Sequence, residues 1–220
     1  QRTIMTIEHH PTEEMLTAFA AGTLDLGQHI AVATHLMSCP HCRTFMHAME
    51  SVGGELLSDL PPAEMTADAL ERVQARLGEP APRRAPVAAP RISANEVPGL
   101  PDFVRDYRYG AWKWIAPSVH LRPIELPAPS ATRVFLLRSG PGTRMLQHTH
   151  TDLELTCVLS GAFSHERGHY GPGNFDIGDE EVDHQPVVDA DGPCICLVAM
   201  QSELKLKGLI GRIMQPFVRV

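Results

Sequence analysis

Residues 35–42 have the sequence His-Leu-Met-Ser-Cys-Pro-His-Cys, which combines metal-binding side chains with a helix boundary. On an uninterrupted helix, at about 100° per residue, His35, Cys39 and Cys42 would lie within roughly 60° of one another and could share one ion. Pro40 is disfavoured inside a helix but favoured in a first turn, so we expect one helix to end shortly before Cys39 and the next to begin there. Three such ligands need a fourth, because structural zinc sites are tetrahedral and closed.

The candidates for the fourth ligand are the other histidines of this region, namely His9, His10, His29, His41 and His47. His41 lies inside the Cys-x2-Cys loop and would be strained in reaching the same ion, and His47 lies further along the third helix. His9 or His10, just before the first predicted helix, is freer to fold back, and both remain candidates. A thioredoxin-like redox pair is the main alternative, but no β-α-β pattern surrounds the cysteines, which favours zinc.

Helical periodicity extends on both sides of this stretch. Apolar residues recur at helical spacing from Met15 to Leu56, and a further amphipathic stretch runs from about Pro62 to Leu77. Thr12, followed by two glutamates, predicts the start of the first helix. Together these patterns predict four short helices.

The ligand pattern His-x24-His-x3-Cys-x2-Cys, from His10 to Cys42, closely resembles that of the zinc-binding anti-sigma domain. Residues 16–24 and 32–36 resemble the ChrR group of that family. The resemblance implies a small bundle of four helices over residues 5–78, which holds a sigma factor so that it cannot join RNA polymerase. The Zn²⁺ ligands that it implies are His10, His35, Cys39 and Cys42.

A proline-rich segment separates this region from the rest of the chain. Residues 79–90 contain four prolines in twelve positions, which is typical of an extended, semi-rigid linker, and we place the linker at residues 79–99. Beyond it, short apolar runs alternate with Gly, Pro and Asp, which favours an all-β sandwich or barrel over residues 100–220. The predicted fold class is therefore α+β, with a helical bundle followed by a β barrel. The apolar runs are 133–137, 153–159, 175–177, 194–199 and 217–220.

A second group of metal-binding residue types falls in the β region. His148 and His150 lie two positions apart on a predicted strand, so their side chains project to the same side of it. Glu154 projects to that side too if the strand pairing continues. His184, after a short acidic turn, is the natural fourth ligand. The spacing of the first three residues resembles the first cupin motif at every prescribed position, which implies a cupin barrel. Three histidines and one carboxylate fit Zn²⁺, which we expect here, and also Fe, Mn or Ni.

Cys194 and Cys196 lie two positions apart on a predicted strand, so both thiols point the same way. Two explanations remain open, namely two small core residues or a redox-responsive pair. The ChrR resemblance supports the second, because members of that group respond to oxidative stress. His165 and His169 lie in a polar turn, where we expect them at the surface.

The charge of the chain is divided unevenly. The net charge is −7, and residues 1–80 carry four Lys and Arg against eleven Asp and Glu. This acidic region is unsuited to phosphate, which argues against direct binding to nucleic acid and favours a basic protein partner. No apolar run approaches the roughly 18 to 20 residues that span a bilayer, so we expect no membrane partner and a cytoplasmic location.

The resemblance implies a transcriptional regulator and not an enzyme. The resemblance implies an anti-sigma factor that sequesters an extracytoplasmic-function sigma factor. It further implies release on oxidative stress, from singlet oxygen or organic peroxide, sensed through the cupin domain. The alternative is a metal-dependent cupin oxygenase or isomerase with an accessory zinc domain. A fold that enzymes share is not evidence of turnover.

Overall fold

The computed structural model describes residues 6–80, 92–93, 95–145, 147–150, 152–179, 185–201 and 204–206. Five α-helices occur in this part of the chain. They are α1 (Glu13–Ala20), α2 (Leu26–Ser38), α3 (Pro40–Ser58), α4 (Ala69–Leu77) and α5 (Asp102–Arg105). None of the helices in the described ranges is both long and apolar enough to cross a membrane.

The predicted helix starts coincide with capping residues. Thr12 is the N-cap of α1, and its hydroxyl accepts a hydrogen bond from a first-turn amide. Cys39 is the N-cap of α3, and Pro40 occupies the first turn of that helix. The predicted boundary between α2 and α3 is therefore confirmed.

The fourth helix is shorter than predicted, since it begins at Ala69, seven residues after Pro62. Asp68 precedes it, and Asp is favoured at N-caps and disfavoured in helix interiors. No residue of α4 is buried, so packing adds nothing that would extend the helix towards Pro62.

The strands follow α5 and lie in three antiparallel sheets. They are β1 (Arg108–Tyr109), β2 (Lys113–Ala116), β3 (Val119–Glu125), β4 (Arg133–Ser139), β5 (His148–His150), β6 (Glu154–Ser160), β7 (Phe163–His165), β8 (Gly168–Tyr170), β9 (Phe175–Gly178), β10 (Val187–Val188), β11 (Cys194–Met200) and β12 (Leu204–Leu206). The large sheet has the order β1-β3-β4-β11-β6-β9, with β2 beside β3. The smaller sheets are β10-β7-β8 and β12-β5.

The predicted apolar runs at 133–137, 153–159, 175–177 and 194–199 correspond to β4, β6, β9 and β11. The run at 217–220 lies outside the described residues. Among the described strands, no ladder closes the sheets into a continuous barrel, so the β part is an open arrangement of sheets. Helices followed by antiparallel sheets confirm the predicted α+β class.

Strand β11 separates two buried layers of side chains. Ile195, Leu197 and Ala199 belong to a first core, which also contains Ile30 and Val32 of α2. The alternate residues of β11 face a second core, between the large sheet and the β10-β7-β8 sheet. Helix α2 therefore packs directly on the outer face of β11 and β6, and helices and strands share the first core.

Asp25 links the start of α2 to the loop before β4 by hydrogen bonds. Its Oδ1 caps the helix by accepting the amide of Gln28, and it also accepts the hydroxyl of Ser130. Its Oδ2 accepts the hydroxyl of Thr132, a buried residue. Burial would raise the pKa of Asp25, but these hydrogen bonds outweigh it, so the pKa lies below its ordinary value.

We expect Asp25→Ala to lower the free energy of unfolding by about 1–2 kcal/mol, because it removes an N-cap and leaves the Thr132 hydroxyl without its acceptor. Urea denaturation of the metal-loaded chain at neutral pH measures this. Since the folded pKa of Asp25 is depressed, its contribution is present above the unfolded pKa of about 3.9 and is lost as pH falls through the lower folded pKa.

Asp68→Ala is the matched control, because Asp68 precedes α4 without making a side-chain capping hydrogen bond. We expect this variant to change the free energy of unfolding by less than about 0.5 kcal/mol. Equal losses in the two variants would contradict the anchoring role of Asp25.

Candidate metal centre

Four side chains from separate stretches of the chain converge on one point. The candidate ligand atoms of His10, His35, Cys39 and Cys42 all lie within 4.8 Å of one another. Nδ1 of His10 is 3.4 Å from the sulfur of Cys39 and also 3.4 Å from that of Cys42. Nε2 of His35 is 3.3 Å from the sulfur of Cys42. The structure thus brings together the residues that the sequence pattern predicts as zinc ligands.

Local structure explains how each side chain reaches the cluster. His35 lies in the last turn of α2, and Cys39 follows as the N-cap of α3. Cys42 lies in the first turn of α3, where its amide donates to the sulfur of Cys39 at 3.4 Å. His10 comes from the segment before α1.

The remaining histidines of the region lie outside the cluster. The ring of His9 stacks on Tyr170 of β8, with centroids 4.1 Å apart. His41 is exposed, although its ring lies 5.1 Å from that of His10, and His47 is also exposed. Of the two candidates before α1, the structure therefore places only His10 beside the cysteines.

The donor set and its spacing fit zinc. A tetrahedral ion with Zn–S near 2.3 Å and Zn–N near 2.0 Å separates its ligand atoms by roughly 3.5 Å. The nitrogen–sulfur distances of 3.3 and 3.4 Å agree with this value. Two imidazoles and two sulfurs are donors that select zinc over magnesium or calcium. His35, Cys39 and Cys42 are buried, as expected for a closed structural site.

Burial controls the protonation of these residues in the metal-free chain. It lowers the pKa of His35 to about 4, against the opposing effect of a hydrogen bond to Gly173, so the imidazole is neutral at neutral pH. Burial, together with the neighbouring Cys39, raises the pKa of Cys42 to about 12. Because metals bind the thiolate form, metal binding here is coupled to proton release.

The other ring nitrogen of His35 binds the β part of the chain. Nδ1 lies 2.8 Å from the carbonyl oxygen of Gly173, between β8 and β9. A carbonyl can only accept, so Nδ1 carries the hydrogen and Nε2 is available to a metal. Sequence reasoning missed this contact, because a backbone carbonyl 138 residues away leaves no residue-specific pattern.

The second predicted metal site lies partly outside the described residues. Strand β5 contains His148 and His150, and β6 begins at Glu154. Oε1 of Glu154 accepts a hydrogen bond from the hydroxyl of Thr156 at 3.2 Å. His184 lies outside the described residues, so this ligand set stays a prediction.

Cys194 and Cys196 both face the second core from β11. Their sulfurs are 3.6 Å apart, and both residues are buried. The hydrogen bond with Cys194, together with burial, holds the pKa of Cys196 well above its ordinary value. The Cys196 thiol is therefore protonated at neutral pH, a form that reacts more slowly with oxidants than the thiolate.

The expectation that His165 lies at the surface is wrong. Its side chain is 1% exposed, and its Nε2 lies 3.2 Å from a carboxylate oxygen of Asp176. Arg167 binds the other oxygen of Asp176 at 2.8 Å, and Tyr170 stacks on the His165 ring. One side of the β7–β8 hairpin is buried. The polar sequence around the turn gives no indication of this burial. His169, by contrast, is half exposed, as expected.

Fold and site together define a metal-binding helical module packed on a cupin-like β domain. Residues 11–43 match a family described as a zinc finger, and residues 101–203 match the ChrR cupin-like domain family. The chain is 36% identical to the anti-sigma-E factor ChrR of Cereibacter sphaeroides over 219 residues, which cover 98% of this chain and 100% of that protein. It also matches a chain in the crystal structure of Rhodobacter sphaeroides SigE in complex with the anti-sigma ChrR. That match has a TM-score of 0.70 and 34% identity, and covers 89% of this chain and 99% of the other.

The chain therefore belongs to the ChrR family of anti-sigma factors, which are regulators rather than enzymes. The likeness extends over both the helical and the β part. It consequently does not depend on the cupin fold alone, which many functionally unrelated proteins share.

We expect Cys42→Ser to lower the metal affinity of the helical site by more than about 100-fold, because even residues that only hydrogen-bond to a metal ligand contribute about 10–100-fold. Titration with Co²⁺ measures this, since thiolate-to-cobalt absorption reports binding to cysteine sulfur. The same substitution at Cys157, a buried cysteine outside the cluster, is the control and should leave the absorption intact. Full cobalt absorption in Cys42→Ser would exclude Cys42 as a ligand.

Proposed function

We propose that this chain is an anti-sigma factor whose helical module binds an extracytoplasmic-function sigma factor and keeps it from RNA polymerase. The relatives support this, because ChrR is an anti-sigma factor that was crystallised with SigE. The observation within this chain that carries the proposal is a concentration of exposed apolar side chains along α3, α4 and the segment between them.

The apolar surface consists of exposed side chains between residues 52 and 77. Of the eleven large apolar side chains exposed in the described residues, eight belong to it, which concentrates the exposed hydrophobicity on one module. Leu70, Val73 and Leu77 repeat at helical spacing and form one stripe along α4. Exposed apolar side chains concentrated in one region are typical of protein-interaction sites. The eight residues are Val52, Leu56, Leu57, Leu60, Met65, Leu70, Val73 and Leu77.

The region that carries the apolar surface is also acidic. Residues 50–79 contain seven Asp and Glu but only two Arg and no Lys. A sigma factor exposes basic DNA-binding surface, so this module complements it in both charge and hydrophobicity. Competition for that surface would keep the sigma factor in the bound form.

We expect Val73→Asp to weaken binding to an extracytoplasmic-function sigma factor of the same organism by about tenfold or more, because it places a charge within an apolar interface. Isothermal titration calorimetry measures the affinity, and transcription with purified RNA polymerase measures inhibition. Since Val73 is 58% exposed, the variant should keep its helical content and its metal.

Trp114→Ser is the control for this measurement, because Trp114 is 62% exposed but belongs to β2 and is not one of the eight residues of the apolar surface. Its affinity should equal that of the wild type. Unchanged binding in Val73→Asp would exclude α4 from the interface, and a wild-type chain that binds no sigma factor would refute the proposed function.

We propose that Zn²⁺ orders the helical module. The bound ion supplies a crosslink that joins α2, α3 and the segment before α1, because its four ligands come from these three stretches. We also propose a divalent metal, Zn²⁺, in the cupin domain. The ligands of the first site are His10, His35, Cys39 and Cys42, and those of the second are His148, His150, Glu154 and His184.

We further propose that oxidative stress, from singlet oxygen or an organic peroxide, releases the sigma factor through the cupin domain. Cys194 and Cys196 support this, since their adjacent sulfurs face the second core. An organic hydroperoxide would transfer one oxygen atom to a thiol, giving a sulfenic acid and an alcohol. A new polar group in an apolar core costs about 1–3 kcal/mol if unpaired. Because β11 also packs against α2, the disturbance reaches the helical module.

We expect the double variant Cys194→Ala, Cys196→Ala to abolish the release of sigma factor by cumene hydroperoxide, because neither position can then accept the oxygen atom. Fluorescence anisotropy of a labelled sigma factor follows the release, and intact-mass spectrometry counts the oxygen atoms gained. Cys157→Ala is the control, since Cys157 belongs to the first core. Normal release in the double variant would disprove the part assigned to these thiols.

A further inference from the structure

One turn of the β domain touches the helical module directly beside the metal centre. Residues 171–174 connect β8 to β9 and form the β8–β9 turn. Its Gly173 carbonyl binds Nδ1 of His35 at 2.8 Å. Gly173 has a φ of +86°, and a Cβ added there would lie 2.6 Å from Cδ1 of Ile7 and 3.2 Å from Cβ of Ser38. The turn is therefore packed tightly against both the segment before α1 and the end of α2.

Asn174, the last residue of the turn, holds the segment that carries His10. Its Oδ1 accepts hydrogen bonds from the amides of Glu8 and His9, both at 2.9 Å. The side-chain amide of Asn174 donates to the carbonyl of Gly171 at 3.1 Å, and Asn174 is 3% exposed. A single buried side chain thus fixes the backbone immediately before a candidate zinc ligand.

The strand that follows the turn leads into the cupin interior. Asp176 of β9 pairs with Thr156 of β6, and paired residues of antiparallel strands project to the same side. The hydroxyl of Thr156 donates to Glu154, a predicted ligand of the cupin metal, at 3.2 Å. The β8–β9 turn is therefore followed directly by a strand that pairs with the part of β6 carrying Glu154.

We propose that Asn174 and the Gly173 carbonyl are positioning groups for the zinc centre, through which the cupin domain controls how firmly the helical module retains its metal. This proposal rests on the proposed zinc ligands but not on the sigma factor. A hydrogen bond to the second nitrogen of a ligand histidine fixes the orientation of its ring, and such outer contacts contribute about 10–100-fold in metal affinity. Displacement of β9 would move the acceptor of His35 and the anchor of the His10 segment together.

Asn174→Ala in the full-length chain tests the proposal. The chain is loaded with Co²⁺, whose thiolate absorption reports only the site of Cys39 and Cys42, and excess EDTA then removes the ion. We expect release from Asn174→Ala to be about tenfold or more faster than from the wild type, because the amides of Glu8 and His9 lose their acceptor. Asn174→Asp keeps an acceptor oxygen and should restore the rate to within about threefold of the wild type.

Thr132→Val distinguishes positioning of the zinc ligands by the turn from a general loosening of the contact between α2 and the β domain. It removes the hydrogen bond to Asp25 at the opposite end of α2, so it loosens the same interface away from the β8–β9 turn. Release of Co²⁺ from this variant should stay within about twofold of the wild type, as expected for sites that do not couple. Equal acceleration in Thr132→Val and Asn174→Ala would overturn the proposal, and so would unchanged release in Asn174→Ala.

Ile7→Ala replaces Asn174→Ala if that variant does not fold. Ile7 is only partly buried and packs against Gly173, while the hydrogen bonds of Asn174 stay in place. Because the side chain of Ile7 packs against Gly173, its loss lets the turn shift and weakens the contact between the Gly173 carbonyl and His35. Faster Co²⁺ release is therefore expected from Ile7→Ala, and wild-type release would overturn the role proposed for the Gly173 carbonyl. The assay contains no sigma factor. The positioning proposal can therefore be refuted while sigma-factor binding is confirmed, and sigma-factor binding can be refuted while the positioning proposal is confirmed.

Discussion

A buried imidazole needs a partner for each of its nitrogens, and His35 takes its partners from opposite parts of the fold. Nε2 faces the sulfur of Cys42 in the candidate metal centre, and Nδ1 binds the carbonyl of Gly173 in the β domain. A buried donor without a partner costs about 1–3 kcal/mol. The helical module and the β8–β9 turn therefore cannot separate without leaving a nitrogen of His35 unsatisfied or admitting water beside it.

One part of the helical module is packed against the sheet, and the other part is exposed. Helices α1 and α2 and the first turns of α3 pack around the metal centre and the sheet, whereas none of residues 47–80 is buried. Short helices without tertiary packing are only marginally stable in water. A protein partner that covers the apolar surface would supply that packing, so binding and ordering of the exposed half would occur together. The metal centre would then hold the other half in a shape ready for the partner.

Sequence reasoning succeeded where near neighbours determine the structure. The helix boundary at Cys39 and the convergence of His35 with Cys42 follow from helix geometry and capping alone. Sequence reasoning failed to predict the contact between His35 and Gly173. The partner there is a backbone carbonyl, which every residue has, so no residue type indicates it. His165 was misplaced because exposure in a hairpin depends on what packs against it, and polar neighbours hide that. The fourth helix was predicted too long, since an amphipathic pattern extends a helix only when something packs on it.

Two physical routes lead from the cupin interior to the helices, and neither follows the proline-rich segment. Strand β11 presents Cys194 and Cys196 to the second core and packs its other face against α2. Strand β9 presents Asp176 to the interior, and its Phe175 ring lies 5.6 Å from that of His35. Both routes end on α2, which carries the candidate zinc ligand His35. If partner binding and metal binding both require the same ordered α2, each must strengthen the other by an equal factor, because linkage between binding equilibria is reciprocal. A disturbance at either strand would then weaken both.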